Sequence, residues 1–187
     1  MMATTHLAFG AGCYTAFALA SGEGVGPVAL FFACTGSLLP DIDHPKSIVG
    51  RQLPKISKAI SEVFGHRGIT HSLMMLAIML WVIYQFADTL PLWLWALLIG
   101  YISHWVGDWM TPGGIPLFWP IMTRFRAPFC MKVNGPTEKA IRYGLGALVV
   151  FVLLDQTWHG LDAYLPFQSP EIEKPAHQAP AMAFKPS

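Results

Sequence analysis

Histidine and aspartate residues recur along the sequence in four groups whose side chains could bind a metal ion. Neutral imidazole and carboxylate are ligands that zinc, manganese and iron accept in proteins. The predicted ligands are His6, Asp41, Asp43, His66, His71, His104 and Asp108, with His44 as an eighth candidate. Seven ligands exceed what one tetrahedral ion requires, so the sequence predicts one or two divalent ions, with zinc favoured and manganese or iron as alternatives.

Two of these groups have a spacing that suits a shared ion. His104 and Asp108 are four residues apart, so a helix would place both on one face. Asp41 and Asp43 lie between two prolines, which favours extended backbone, where residues two apart point the same way. Each pair is therefore predicted to supply two ligands to one site.

The third group needs a break in the chain before it can act together. His66 and His71 are five residues apart, so they converge only if Gly68 interrupts the helix and Thr70 caps the next one. Arg67 lies inside this motif, and a guanidinium group matches the geometry of phosphate or carboxylate. We expect Arg67 to bind the anionic group of a substrate.

Glu138 is the remaining candidate for chemistry. It precedes the last apolar stretch, where a carboxylate could act as a general base or a further ligand. It could equally cap the helix that follows.

Each group taken alone also has a purely structural explanation. A histidine can bond a neighbouring carbonyl group, the Asp41 to Pro45 segment can form an Asx turn, and basic residues can reach lipid headgroups. Ionisable groups at a membrane boundary are costly, however, and all four groups fall at the ends of predicted helices. Their joint placement favours a metal site.

The composition of the chain indicates a membrane protein. Of its 187 residues 53% are hydrophobic and only 12% are charged, against roughly 25% charged in soluble domains. The formal net charge of +1 offers no basis for binding nucleic acid. The three cysteines show no metal-binding spacing and are expected to be structural.

Five apolar stretches predict an all-α, polytopic membrane bundle of about five helices. The first two are glycine-rich or short for a span, since crossing a bilayer takes about 20 residues. The stretches are Thr5 to Ala20, Val28 to Leu39, Thr70 to Ala87, Leu92 to Trp109 and Ala140 to Thr157. Short turns separate the first pair and the third from the fourth.

Basic residues predict the orientation of this bundle. The two long polar segments, Asp41 to Gly68 and Thr111 to Lys139, together with Arg142, hold 10 of the 12 Lys and Arg residues. The positive-inside rule makes their side cytoplasmic. The predicted ligands lie at the helix ends on this side, so the metal site should face the cytoplasm.

Other segments are expected to shape the site or to lie outside it. Lys55 to Phe64 has the spacing of a short amphipathic helix, and Pro112 to Pro116 must form a loop that helps to wall the pocket. Residues 1–160 are predicted to form one domain. Residues 161–187 form a Pro/Ala-rich tail, in which Pro170 to Ser187 is expected to be disordered.

Four motifs resemble those of a known family, the YdjM-type, LexA-regulated inner-membrane proteins. The motifs are Leu39 to Ser47 (LPDIDHPKS), Gly65 to Ser72 (GHRGITHS), Gly100 to Asp108 (GYISHWVGD) and Thr111 to Pro116 (TPGGIP). The similarity runs from about Thr5 to Glu138. It implies a bacterial inner-membrane protein with metal-dependent hydrolase activity. A more distant likeness, in ligand type and helical setting, is to the zinc phospholipase C and nuclease P1 group.

These observations lead to one functional hypothesis and two alternatives. The hypothesis is an integral membrane hydrolase that uses metal-activated water to cleave a phosphoester of a lipid or lipid-linked anionic substrate. The first alternative is a structural or regulatory membrane protein in which the metal holds helices together. The second is a transporter, although transport sites usually lie at the membrane midplane.

Overall fold

The computed structural model describes residues 1–65, 67–85 and 91–162, with side chains as far as His159. Its helices are α1 (Ala3–Ser21), α2 (Pro27–Gly36), α3 (Ile48–Gln52), α4 (Pro54–Phe64), α5 (Leu73–Gln85), α6 (Leu92–Trp109) and α7 (Pro136–Asp162), with 3-10 helices η1 (Leu39–Asp43) and η2 (Ile69–His71). Within these residues no β-strand occurs, so the all-α prediction is confirmed. His66 and nearly all of the predicted tail lie outside the described residues.

Each of the five apolar stretches forms a helix. The second is shorter than predicted, because α2 ends at Gly36 and the chain continues into η1. The amphipathic helix is confirmed as α4, which begins at Pro54, a residue suited to the first turn of a helix.

Helix α7 is the one described helix that is long and apolar enough to cross a membrane, over Pro136–His159. Large side chains such as Phe151, Leu154 and Trp158 are each at least 65% exposed along it. Exposed apolar surface of this extent marks a contact with lipid or with another protein. The arrangement of all five helices as spans stays a prediction.

Helix α6 packs against both α1 and α2, while α7 packs against the outer side of α1. Glycine makes the contact between α2 and α6 unusually close. A Cβ atom at Gly36 would lie 2.0 Å from the Leu97 carbonyl oxygen, and one at Gly100 would lie 2.0 Å from that of Ala33. The two backbones therefore touch, as in membrane helix pairs with small residues at their interface.

A cluster of buried aromatic residues holds η2 against α6. Tyr101 and Trp105 are stacked edge to face, and both donate a side-chain hydrogen bond to the Thr70 carbonyl oxygen. Buried aromatic residues need such partners for their polar atoms. This contact places Thr70 and His71 beside the end of α6.

The backbone at Asp41 and Asp43 corrects a prediction. The segment is not extended but forms η1, with Pro40 in its first turn, where proline's missing N–H costs nothing. Residues two apart on a 3-10 helix point in different directions, because a turn takes three residues. The carboxylates of Asp41 and Asp43 therefore point in different directions and contact different groups.

The break before α5 is confirmed, but its cap is not the predicted one. Gly68 has a non-helical backbone and precedes η2. Thr70 lies within η2, whereas the Ser72 hydroxyl accepts the hydrogen bond from the Met75 N–H at the start of α5. The Thr70 hydroxyl is thereby free for the site.

The close α2–α6 contact yields a test of the fold. Gly100→Ala should destabilise the protein by about 1–3 kcal/mol or more, since the new methyl group overlaps the Ala33 carbonyl oxygen. Thermal unfolding of the purified protein would measure this. Gly144→Ala is the matched control, because no atom lies within 4 Å of a Cβ there, and it should leave the melting temperature unchanged or raise it. Equal stability of both variants would contradict the close packing.

Candidate metal centre

Six of the seven predicted ligands come together where α1, α6, η1 and η2 meet. His6 comes from α1, Asp41 and Asp43 from η1, His71 from η2, and His104 and Asp108 from α6. The seventh, His66, lies outside the described residues. Five of the six are buried, and only the Asp41 side chain is partly exposed, at 22%. The site is therefore enclosed on all sides except that of Asp41.

Four of these residues surround one position. The Nε2 atoms of His71 and His104 are 3.2 Å apart, and each lies 3.8 Å from Asp108 Oδ2. Asp41 Oδ1 lies 3.8 Å from His104 Nε2. Ligand atoms of a tetrahedral zinc ion are separated by about 3.3 Å when the bonds are about 2.0–2.1 Å. The separation of the two histidine nitrogens matches this value, while the separations that involve the carboxylates are longer, at 3.8 Å.

A backbone carbonyl group determines the tautomer of His104. Its Nδ1 lies 2.7 Å from the Ser37 carbonyl oxygen, at the end of α2. A carbonyl oxygen only accepts hydrogen bonds, so Nδ1 must carry the hydrogen. In the neutral ring Nε2 is then an unprotonated lone pair.

Two side chains determine the tautomer of His71 in the same way. The Thr70 hydroxyl donates its one hydrogen to Asp43 Oδ2, at 2.5 Å. The oxygen of that hydroxyl lies 3.0 Å from His71 Nδ1 and can only accept there. His71 Nδ1 is thus a donor, and its Nε2 is a lone pair in the neutral ring.

These tautomers leave two nitrogen lone pairs facing each other inside the protein. Asp108 Oδ2 beside them is buried, and its charged partner among the described residues is the Arg67 guanidinium, with Nη2 at 2.6 Å. Buried polar atoms are normally satisfied, and those that are not call for an explanation such as an ion. The donor set fits a cation, which would accept both lone pairs and the carboxylate oxygen at once.

Asp43 lies behind His71, on the side of its Nδ1, and its role as a ligand stays a prediction. Its Oδ2 accepts hydrogen bonds from the Arg67 backbone N–H, at 2.9 Å, and from Thr70, and it lies 3.4 Å from His71 Nδ1. A carboxylate behind a histidine is the usual outer partner of a metal ligand, because it orients the ring. Among the described residues, two sets of ligand atoms lie close enough together to hold an ion, and neither includes Asp43. They are His6, His104 and Asp108, and Asp41, His71 and His104.

His6 lies beside the centre in a geometry that argues against sharing an ion with His104. The two rings are stacked, with centroids 3.7 Å apart and planes within 11° of each other. An ion in the plane of one ring would lie well outside the plane of the other, although the ligand atoms of His6, His104 and Asp108 fall within 4.8 Å of one another. Imidazole binds a metal through a lone pair in the plane of the ring, so two stacked rings do not suit a shared ion.

Asp108 carries different partners on its two oxygens. Oδ1 accepts a hydrogen bond from the Met1 amino group, at 2.7 Å, and lies 3.3 Å from His6 Nε2. Oδ2 faces the two histidine nitrogens and lies 2.6 Å from Arg67 Nη2. His6 therefore orients the carboxylate from the side opposite the candidate ion position.

Among the described residues, carboxylates at the centre outnumber cationic groups. The carboxylates are those of Asp41, Asp43 and Asp108, and the cationic groups, both paired with Asp108, are the Arg67 guanidinium and the Met1 amino group. Buried charges are stable only when they are paired. A divalent cation would turn this small negative excess into a small positive one, which suits an anionic ligand.

Arg67 is held in a strained turn at the edge of the centre. Its φ of 56° lies in the left-handed region, which is uncommon for residues other than glycine. Its Nη1 donates to the Gly114 carbonyl oxygen, so the predicted Pro112 to Pro116 loop does line the site. Its Nε is buried without a hydrogen-bond partner among the described residues, which leaves one donor for an anion.

Glu138 has the capping role that the sequence left open. Its Oε1 accepts a hydrogen bond from the Met2 backbone N–H at 2.7 Å, and its Oε2 accepts one from the Asn134 N–H. The carboxylate thus joins the start of α7 to the start of α1. Its action as a general base stays a prediction.

Three participants were missed by sequence reasoning. The Ser37 carbonyl group, the Thr70 hydroxyl and the Met1 nitrogen all bond ligands or their partners. A backbone carbonyl group leaves no trace in residue type, so Ser37 had no signal. Thr70, adjacent to His71 and within the same motif, could have been found as a partner for that ring.

Comparison with known proteins shows the family of this chain. The chain is 44% identical to the inner membrane protein YdjM of Escherichia coli over 106 residues, about half the length of each protein. It is 36% identical to the uncharacterized protein YvsG of Bacillus subtilis over 146 residues, which cover 78% of this chain and 89% of that one. No solved structure matches. The pattern of the family described as YdjM inner membrane protein matches residues 1–170, so the chain belongs to this family.

Proposed function

We propose that the protein is an integral inner-membrane hydrolase that depends on a divalent metal ion, with zinc favoured. The ion is held by His71, His104 and Asp108, with Asp41 on the open side. The family supports the membrane location, since its E. coli member is described as an inner membrane protein. The cytoplasmic side follows from the basic residues that border the site. The substrate is a phosphoester of a lipid or lipid-linked molecule.

One observation carries the metal in this proposal. Two buried imidazoles present their Nε2 lone pairs to each other at 3.2 Å, and each ring has its Nδ1 hydrogen committed to an acceptor. Two facing lone pairs repel unless a cation lies between or beside them. The buried Asp108 Oδ2, which lies 3.8 Å from both nitrogens, completes the donor set.

The partial exposure of Asp41 supports catalysis over a closed site. Catalytic zinc sites keep three protein ligands and leave one position for water. A bound divalent ion would supply a Lewis acid that lowers the pKa of such a water toward about 7. Asp41, the one partly exposed carboxylate of the centre, accepts the proton of the attacking water at its Oδ1.

Arg67 binds the anionic group in this scheme. Its guanidinium is held by Asp108 and the Gly114 carbonyl oxygen before substrate binds, so binding does not carry the entropic cost of ordering this side chain. The side chain is 17% exposed, so some of its atoms are accessible from outside the protein. A phosphate group beside them would lie next to the ion position.

Deep burial supports a second candidate, a structural metal site. His71, His104 and Asp108 are each 0% exposed and join η2 to α6, as a metal staple would. If Asp41 were a fourth ligand, the site would be closed in the manner of structural zinc. The two candidates differ in whether Asp41 is needed for binding the ion.

The number of bound ions tests whether His6 is a ligand. Purified protein loaded with zinc and dialysed should contain about one ion per chain by elemental analysis. His6→Phe should still contain one, because His6 does not share the plane of an ion bound to His104. Two ions in the wild type, falling to one in this variant, would show that His6 is a ligand of a second ion.

Metal affinity should separate ligands from supporting residues. His104→Ala should abolish measurable zinc binding in a competition with a chelating dye. Asp43→Asn should weaken it by about 10–100-fold, because an outer partner orients the ligand without touching the ion. His159→Ala, an exposed position on α7, is the control and should bind like the wild type. Complete loss of binding in Asp43→Asn would instead make Asp43 a ligand.

Catalysis is tested through Asp41. Hydrolysis of phosphatidic acid by the purified protein should be lost on chelation, be restored by zinc, and vanish in His71→Ala. Asp41→Asn should retain the ion yet lower kcat by about 10²–10⁴-fold, as expected for loss of a general base. Loss of the ion in Asp41→Asn, with no hydrolysis by any variant, would support the structural site.

A further inference from the structure

An apolar cavity of about 380 Å³ lies between α4, α5 and α6. Its walls include Leu39 and Ile42 of η1, Ile60 and Phe64 of α4, and Met75 and Met79 of α5. All six side chains are half-buried, so the cavity is open to the outside of the protein rather than sealed. It could hold roughly a dozen groups the size of a water molecule or a methylene.

This cavity and the candidate metal centre share their walls. Ile42 lines the cavity, while its neighbours Asp41 and Asp43 belong to the centre. Thr70 lines the cavity and also bonds His71 and Asp43. The two 3-10 helices thus present apolar side chains to one side and the ligands to the other.

The entrance to the centre lies next to the cavity. Asp41 and Arg67 are the partly exposed residues of the centre and mark its entrance. The three residues that follow Arg67 in the chain lead from this entrance to Thr70 in the cavity wall. A molecule with an anionic group at Arg67 would have its apolar part beside Ile69 of the cavity wall. This neighbourhood of a basic group and an apolar cavity matches an amphiphile with a phosphate at one end.

We propose that the cavity binds the hydrocarbon chain of an anionic phospholipid whose phosphate group lies at Arg67. The inference rests on the proposed function, and it names the part of the substrate that gives the centre its selectivity. Methionine suits such a wall, because its flexible side chain adapts to chains of differing shape. Burial of each methylene group adds to affinity, so the chain should dominate binding.

Native mass spectrometry of the full chain, kept metal-free by a chelator so that no hydrolysis occurs, provides the test. The probes are oleoyl lysophosphatidic acid and glycerol 3-phosphate, which share a phosphate group and differ in the hydrocarbon chain. The lysolipid should bind with one molecule per protein and at least about 100-fold tighter. Met75→Trp, which fills the cavity, should weaken lysolipid binding at least about tenfold.

A matched variant distinguishes this cavity from general lipid contact. Val82→Trp adds a similar bulk on the same helix but lines a neighbouring cavity of about 170 Å³, which shares Met79 with the proposed one, and it should bind the lysolipid within about twofold of the wild type. Ile60→Trp fills the proposed cavity from α4 and replaces Met75→Trp if that variant fails to fold. Equal binding by all variants, or a loss confined to Val82→Trp, would overturn the proposal.

The outcome is separable from that of the proposed function. Chain-dependent binding without hydrolysis after zinc is restored would leave the cavity assignment standing and reject the hydrolase. Hydrolysis that proceeds equally on glycerol 3-phosphate and on the lysolipid would do the reverse.

Discussion

Two histidine rings that face each other through unprotonated nitrogens are the constraint around which this protein is arranged. Their Nε2 atoms lie 3.2 Å apart in a fully buried position. A cation between or beside the two nitrogens would make this contact favourable. Ser37 and Thr70 accept hydrogen bonds from the two Nδ1 atoms, and Asp108 supplies a buried carboxylate oxygen that also pairs with Arg67.

The close contact between α2 and α6 makes this arrangement possible. Glycines 36 and 100 let the two backbones touch, and the residue after Gly36 is Ser37, whose carbonyl oxygen meets His104. A wider separation of the helices would move that acceptor away from the ring. Helix packing and the protonation pattern of the centre are therefore coupled through a few small residues.

The segments that carry the centre are short and irregular, which lets them serve two environments at once. A 3-10 helix has about three residues per turn, so neighbouring side chains point to different sides. In η1 this sends Asp41 and Asp43 to different places around the centre and Ile42 into the apolar cavity. Charged and apolar ligand groups could thus be recognised within a few ångströms of each other.

Much of this could be predicted from the sequence because it depends on local geometry. Apolar stretches located five helices and helical periodicity located α4, while the four-residue spacing of His104 and Asp108 predicted that both lie on one face of α6. The residue types of the centre, and their gathering at helix ends, were likewise recognisable.

The tertiary structure decided which of these residues face the candidate ion position and which lie behind it. Asp43 became the partner of His71, and His6 was turned flat against His104, because contacts between distant segments set these orientations. The acceptor that sets the tautomer of His104 is a backbone carbonyl group, and since every residue carries one, only the packing of α2 on α6 could single it out.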